Sequence, residues 1–275
     1  MAQCGARSGA VLAAVALALL AQPSAVHAQP AADFVPVTDA VLQAPDPADW
    51  LMWRRTLDAW GYSPLDQIDR ENVGDLRMVW SRALATGSQQ GTPLVYDGVL
   101  YMPNPRDTIQ ALDGATGDLL WEYRRPRPDD LHEHVYTALG EANRNIAIHG
   151  RFLIGTSADG YVYAVDAVTG RLAWETQIVD YTRHPAHQTS GPIIAGGKVI
   201  SGRGCLPAGG PHACFIAAHD AATGAELWRR PLIPGPGEPG DETWGGVPYE
   251  GASTSAPGWC RATTRSSTSC TSARR

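Results

Sequence analysis

Three times along the chain the same five residues return at the same mutual spacing: Ala111-x-Asp113-x-x-Thr116-Gly117-x-x-x-Trp121, then Ala164, Asp166, Thr169, Gly170 and Trp174, then Ala218, Asp220, Thr223, Gly224 and Trp228. The tryptophans recur after 53 and 54 residues, near the ~40–50 residues of a four-stranded propeller blade. Each part of the unit has a mechanical job. Asp and Thr-Gly make a tight turn, the aspartate bonding the turn's own backbone and the glycine tolerating positive φ. Apolar residues before the turn and the tryptophan after it put a strand on each side, a β-hairpin. Upstream of each unit stands a second strand-turn-strand, centred on Asp97-Gly98, His149-Gly150 and Gly196-Gly197. Two hairpins per repeat make a four-stranded antiparallel blade, with the tryptophan laid over the neighbouring sheet. The plain alternative, a β-sandwich with chance repeats, does not explain three hits at one period. The expectation is an all-β propeller of about three blades. Residues 72–80, ending in Trp80, read as one isolated outer strand of the kind that closes a last blade.

The remaining composition narrows the class. The chain has 275 residues, 44% hydrophobic and 18% charged, which suits a globular domain. Its net charge is −6 and no basic run is present, so nucleic acid is excluded as a partner. Residues 1–28 have the form of an export signal: Arg7, an apolar run over residues 11–20, then Val26-His27-Ala28 at the cleavage position. The run is shorter than the ~20 residues of a membrane span, and no span follows it. The expectation is a soluble, exported chain in an oxidising compartment. Cys4 leaves with the signal, while Cys205 and Cys214 flank a Gly/Pro-rich loop. A disulfide is the natural reading there, with free or metal-bound thiols as the alternatives; zinc lacks ligands at a supporting spacing. No CxxCH occurs, so no covalent haem is expected. His132, His134, His184 and His187, with Asp129, Asp130 and Glu141, read as solvated loop residues.

Other segments carry a family likeness. They are Trp53-Arg54-Arg55, Tyr62-Ser63-Pro64-Leu65-Asp66-Gln67-Ile68, Asn72-Val73, Gln90-Gly91-Thr92-Pro93-Leu94-Val95-Tyr96-Asp97-Gly98, Asp159-Gly160-Tyr161-Val162-Tyr163-Ala164-Val165-Asp166 and Asp241-Glu242-Thr243-Trp244-Gly245-Gly246. Together, over residues 49–250, they resemble PQQ-dependent (quinoprotein) alcohol and methanol dehydrogenases. The resemblance implies an eight-bladed propeller holding PQQ and Ca²⁺, or a lanthanide, on its axis in the periplasm. It implies an alcohol-type substrate, with hydride passing to the quinone carbon and a carboxylate taking the alcohol proton. A cytochrome c would be the electron acceptor.

Carried over residue by residue, Arg144 stands where the family places a PQQ-contacting arginine. Gln90 stands where methanol dehydrogenases use a carboxylate, and Thr189 and Ser190 match hydroxyl positions near the cofactor carboxylates. The plain alternatives are a blade-edge arginine and turn chemistry. The sequence also departs from the pattern. The adjacent cysteine pair of many members would fall near Ala138 and Leu139 and is absent. The stretch between Gly204 and Phe215, where a metal-binding glutamate is due, holds no carboxylate, which argues against Ca²⁺. The catalytic aspartate, the metal-binding asparagine and the tryptophan beneath PQQ are expected beyond residue 250.

From residue 251 onward the texture becomes Ser-, Thr-, Arg- and Cys-rich without strand alternation. GC-rich codons for residues 255–274, read two bases on, give a plausible strand-turn-strand. The expectation is a frameshifted, disordered tail over residues 251–275 and a chain without turnover of its own. A non-catalytic periplasmic scaffold or sensor propeller, and a small propeller completed by homo-oligomerisation, are the competing readings.

Overall fold

A computed structural model describes residues 34–135 and 142–252. Residues 1–33, which include the expected export signal, Ala138, Leu139 and Glu141, and the residues from 253 onward lie outside the described residues. The repeat becomes three antiparallel sheets. The first contains β1 (Leu94–Tyr96), β2 (Val99–Asn104), β3 (Thr108–Asp113) and β4 (Leu119–Arg124) in that order. The second contains β5 (Ala147–His149), β6 (Phe152–Thr156), β7 (Tyr161–Asp166) and β8 (Leu172–Gln177). In the third, β9 (Ala186–His187) pairs with the far end of β11 (Lys198–Cys205), beyond β10 (Ile193–Ala195), and the order continues through β12 (Phe215–Asp220) and β13 (Glu226–Pro231). All three blades carry a register shift at the equivalent place, after Ala111, Ala164 and Ala218.

The repeated turn closes in the same way each time. The Asp113, Asp166 and Asp220 carboxylates accept from the backbone N–H groups of Thr116, Thr169 and Thr223 at 2.8, 2.8 and 2.9 Å. Gly117, Gly170 and Gly224 then bond back to the aspartate carbonyls at 2.8 Å. All three glycines have positive φ and are buried, because the tryptophan of the preceding module covers them. A β-carbon on Gly117 would fall 2.6 Å from Trp80 Cδ2, and one on Gly170 would fall 2.5 Å from Trp121 Cε3. Trp174 covers Gly224 likewise. The indole N–H groups of Trp80 and Trp121 reach Gly114 O and Ala167 O at 3.1 and 3.0 Å. At the third contact the Thr176 hydroxyl takes that part, donating to Gly224 O at 2.7 Å.

Residues 72–80 differ from the expected strand. Val73–Asp75 forms a 3-10 turn and the residues after it pair with no strand, leaving Met78 and Val79 more than 80% exposed. A strand exists through its ladder, and no described segment lies alongside to supply one. Trp80 nevertheless occupies the position of a blade tryptophan.

A strap invisible to the repeat analysis ties the arc together at one end. Tyr96 donates its hydroxyl hydrogen bond to Val35 O at 2.7 Å, Val37 bridges Gly150, and Trp50 bridges Val95. Helix α1 (Asp39–Gln43), capped by Thr38, presents Asp39 to Gly197 N at 3.3 Å. One N-terminal run therefore touches the first hairpin of every blade. The main core runs through all three sheets, with Leu94, Ile109, Ile148, Ile154, Val162 and Val199 fully or almost fully buried. Among the described residues no helix is long and apolar enough to cross a membrane.

Two predictions follow from this packing. Gly170→Ala should destabilise the chain by about 2–4 kcal/mol, combining positive φ with a clash against the indole. Gly150→Ala, also at positive φ (56°) but with nothing within 4 Å, should cost only about 1 kcal/mol. Urea melts of both variants measure the difference.

The second prediction concerns pH. His219 is fully buried, and burial holds its pKa below 6.5 while Glu226 at 3.7 Å pulls the other way and Arg229 adds to the depression. The unfolded chain binds this proton and the folded chain does not, so stability falls as pH drops through the ordinary histidine range. Asp107 has the opposite sign. Burial lifts its carboxyl from 3.8 to about 7 against the pull of Arg127, so the stability it contributes at low pH is lost as pH rises through about 7. His219→Gln should flatten the acid limb of a stability–pH curve, and Asp107→Asn the neutral one.

Candidate functional site

At the end of the inner strands opposite the strap, three segments meet just before β1, β5 and β10. Thr92 N donates to Arg144 O at 2.8 Å, and Arg144 N donates to Thr189 O at 3.1 Å. Backbone bonds thus stitch the three blades side by side around the inner edge. Gly191 makes this approach possible, since a β-carbon there would collide with the Asn145 carbonyl; its N–H bonds Asn145 Oδ1 at 3.1 Å.

Of the residues singled out from sequence, the fold brings Arg144 and Thr189 into direct contact through a guanidinium-to-hydroxyl hydrogen bond. Ser190 follows, its carbonyl accepting from the Thr156 hydroxyl at 3.1 Å. Arg144, Thr189 and Ser190 are all half-buried. Gln90 is exposed two residues before Thr92 and donates to Ser88 Oγ at 3.0 Å; it does not bond the other three. Cys214 is disulfide-bonded, while the side chain of Cys205 is not among those described. Trp244 lies in a 3-10 turn, packed with Tyr249 on the cluster of Ala186, Ala213, Cys214 and Ile233.

Sequence reasoning missed four buried polar atoms on residues next to or near these in the chain. Gln89 Oε1, Asn143 Nδ2, His187 Nδ1 and Gln188 Oε1 are buried and make no hydrogen bond among the described residues. Each adjoins a candidate or stands one residue further along, and polar side chains leading directly into apolar inner strands were the available signal. Buried polar atoms without partners are costly, and these four lie within two residues of Gln90, Arg144 or Thr189 along the chain. A metal fits poorly: the described residues hold no group of three His, Cys, Asp or Glu side chains placed to bind one.

A buried charge row joins residues of the three blades. Arg125 Nη1 meets Asp159 Oδ2 at 2.6 Å with both side chains about 5% exposed, and its Nη2 reaches Glu175 at 3.1 Å. The guanidinium also lies 4.4 Å over the Tyr161 ring. Arg203, on β11, is fully buried without a hydrogen bond among the described residues. Burial depresses its pKa to about 10, with Asp159 offsetting part of the effect. Asp159 thus serves cations from the blades on either side.

A radial arc of four-stranded antiparallel blades defines part of a β-propeller. Residues 50–266 match the family described as "PQQ: Glucose/ethanol/alcohol dehydrogenase, beta-propeller domain", and the chain belongs to that family. Among curated relatives, the dehydrogenase subunit of a quinone-linked alcohol dehydrogenase from Gluconacetobacter polyoxogenes is 38% identical over 206 residues, covering 72% of this chain and 27% of that protein. Quinohemoprotein alcohol dehydrogenase ADH-IIG from Pseudomonas putida is 34% identical, over 69% of this chain and 26% of its own length. The solved structure of ADHIIG from Pseudomonas putida HK5 superposes with a TM-score of 0.65 at 33% identity, covering 74% of this chain and 30% of that one. The chain therefore spans between a quarter and a third of the length of these relatives.

The charge row gives a stability prediction. Asp159→Ala removes the buried carboxylate that pairs with Arg125 and should cost about 3–5 kcal/mol, whereas Glu175→Ala, with a side chain 41% exposed, should cost under about 1 kcal/mol. Thermal melts followed by circular dichroism separate the two.

Proposed function

We propose that this chain seats pyrroloquinoline quinone in a PQQ-dependent alcohol dehydrogenase of the periplasm, exported by residues 1–28. The observation that carries the reading is the meeting of Arg144 with Thr189 beside four buried polar atoms that lack partners. A tricarboxylate quinone has the charge and the hydrogen-bonding edges for that set. When bound, PQQ supplies a quinone carbon that accepts hydride from an alcohol. The chain's own residues bind and orient it. Arg144 supplies a charge-assisted hydrogen-bond donor. Thr189 and Ser190 offer hydroxyls, and Gln90 at the rim adds a neutral hydrogen-bonding group. The packed inner strands below exclude water from this end.

The carboxylate that takes the alcohol proton, and the Ca²⁺ or lanthanide ligands, belong in this reading to residues beyond 250, with a cytochrome c as electron acceptor. Pairing of Cys205 with Cys214 fastens the loop over the third blade; the disulfide at Cys214 and the shortness of that loop support it. PQQ titrated into the purified chain should shift the quinone absorbance and quench indole emission. Arg144→Ala should weaken that binding about tenfold or more, the worth of one charge-assisted hydrogen bond. Equal binding by parent and Arg144→Ala, or none by either, defeats the assignment.

A further inference from the structure

A tyrosine-lined cleft on the seam between the first two blades plays no part in the proposed cofactor site. It has a volume of about 430 Å³, within the range of small-molecule sites.

Strand alternation builds it. On β8, Trp174 and Thr176 turn toward the third blade, where they meet Gly224, so Glu175 and Gln177 turn toward the first. On β7, Tyr161 stands opposite Gln177 and Tyr163 opposite Glu175. From the first blade, Tyr123 approaches Tyr163 with ring centroids 5.9 Å apart, and Arg125 lies over Tyr161. The walls thus come from two consecutive blades and owe nothing to the faces at either end of the arc. The linkers keep the cleft open. In Arg125-Pro126-Arg127-Pro128 each arginine precedes a proline and is held in extended backbone, and the run forms no helix or turn. The second linker is fastened to the first: Tyr181 donates to Asp130 Oδ1 at 2.6 Å and packs with Leu131, Val135 and Ala158.

Its charges are already matched. Arg125 divides between Asp159 and Glu175 at 2.6 and 3.1 Å, and Arg127 lies 3.7 Å from Asp107. An anion would meet the carboxylates and a cation the guanidinium groups, so an ionic ligand gains little. The groups left over are neutral. The Tyr123 and Tyr161 hydroxyls and Gln177 Oε1 line the cleft and make no hydrogen bond among the described residues. A plain aromatic ligand would fill the volume but shut these groups off from water unpaired. A ring with hydroxyls at its edge and C–H groups on its faces satisfies both the polar groups and the tyrosine rings.

We propose that this seam binds a neutral saccharide, its faces against Tyr123, Tyr161 and Pro126 and its hydroxyls on the two phenols, Glu175 and Gln177. The site shares no residue with Gln90, Arg144, Thr189 or Ser190, and the inference is independent of the cofactor assignment.

Saturation-transfer NMR and calorimetric titration of the purified full chain test it, with maltose as the saccharide probe and benzyl alcohol as the plain aromatic one. Maltose should bind, and more tightly than benzyl alcohol. Tyr161→Phe keeps the ring and loses the hydroxyl, and Gln177→Ala removes an exposed amide; each should weaken maltose about three- to tenfold, the worth of one neutral hydrogen bond, without changing the circular dichroism. If Tyr161→Phe loses its fold, Gln177→Ala decides alone. No saturation transfer to maltose from the folded parent would overturn the proposal. So would a preference for benzyl alcohol, or equal maltose binding by the parent and the folded variants.

Discussion

Everything in the arc depends on an indole lying flat on a glycine. The Thr-Gly turn of each blade exposes a patch of backbone with no side chain over it, and the preceding blade's tryptophan covers that patch. A side chain of any size at Gly117, Gly170 or Gly224 would hold the two sheets apart. The contact is therefore a spacer as well as a source of buried area. It sets how closely blades approach at their outer edge, while the backbone bonds from Thr92 to Arg144 and from Arg144 to Thr189 set how closely they approach at the inner edge. Two fixed distances, one at each radius, define a wedge, and a wedge repeated is a propeller.

That geometry also frees side chains at the inner rim, where the proposed site residues stand. The segments before β1, β5 and β10 are held by main-chain bonds to neighbouring blades, so their side chains are free to face a ligand. Arg144 uses its backbone to join neighbouring blades, while its half-buried guanidinium gives one donor to Thr189. The Asp159 row behind the rim plays the complementary part. A carboxylate bonded to Arg125 and close enough to act on Arg203 fixes three blades electrostatically where apolar packing would leave no polar surface to carry a site.

The sequence disclosed features whose physics is local. An Asp bonding the N–H three residues on, a glycine at positive φ and a tryptophan four residues later lie close together in sequence, so the blades and their order were legible; Arg144 and Thr189, singled out by family likeness, prove to be hydrogen-bonded to each other. Features built from distant residues were not legible. The strap joins Val35 to Tyr96 and Asp39 to Gly197 by single bonds that leave no pattern. Arg125 and Asp159 are 34 residues apart, and neither looks unusual alone. The orphaned atoms of Asn143 and Gln188 are recognisable only once neighbouring blades have closed water out. Residues 72–80 fail in the reverse sense. Their pattern is that of a strand, but a strand is a relation between two segments, and pattern alone specifies only one of them.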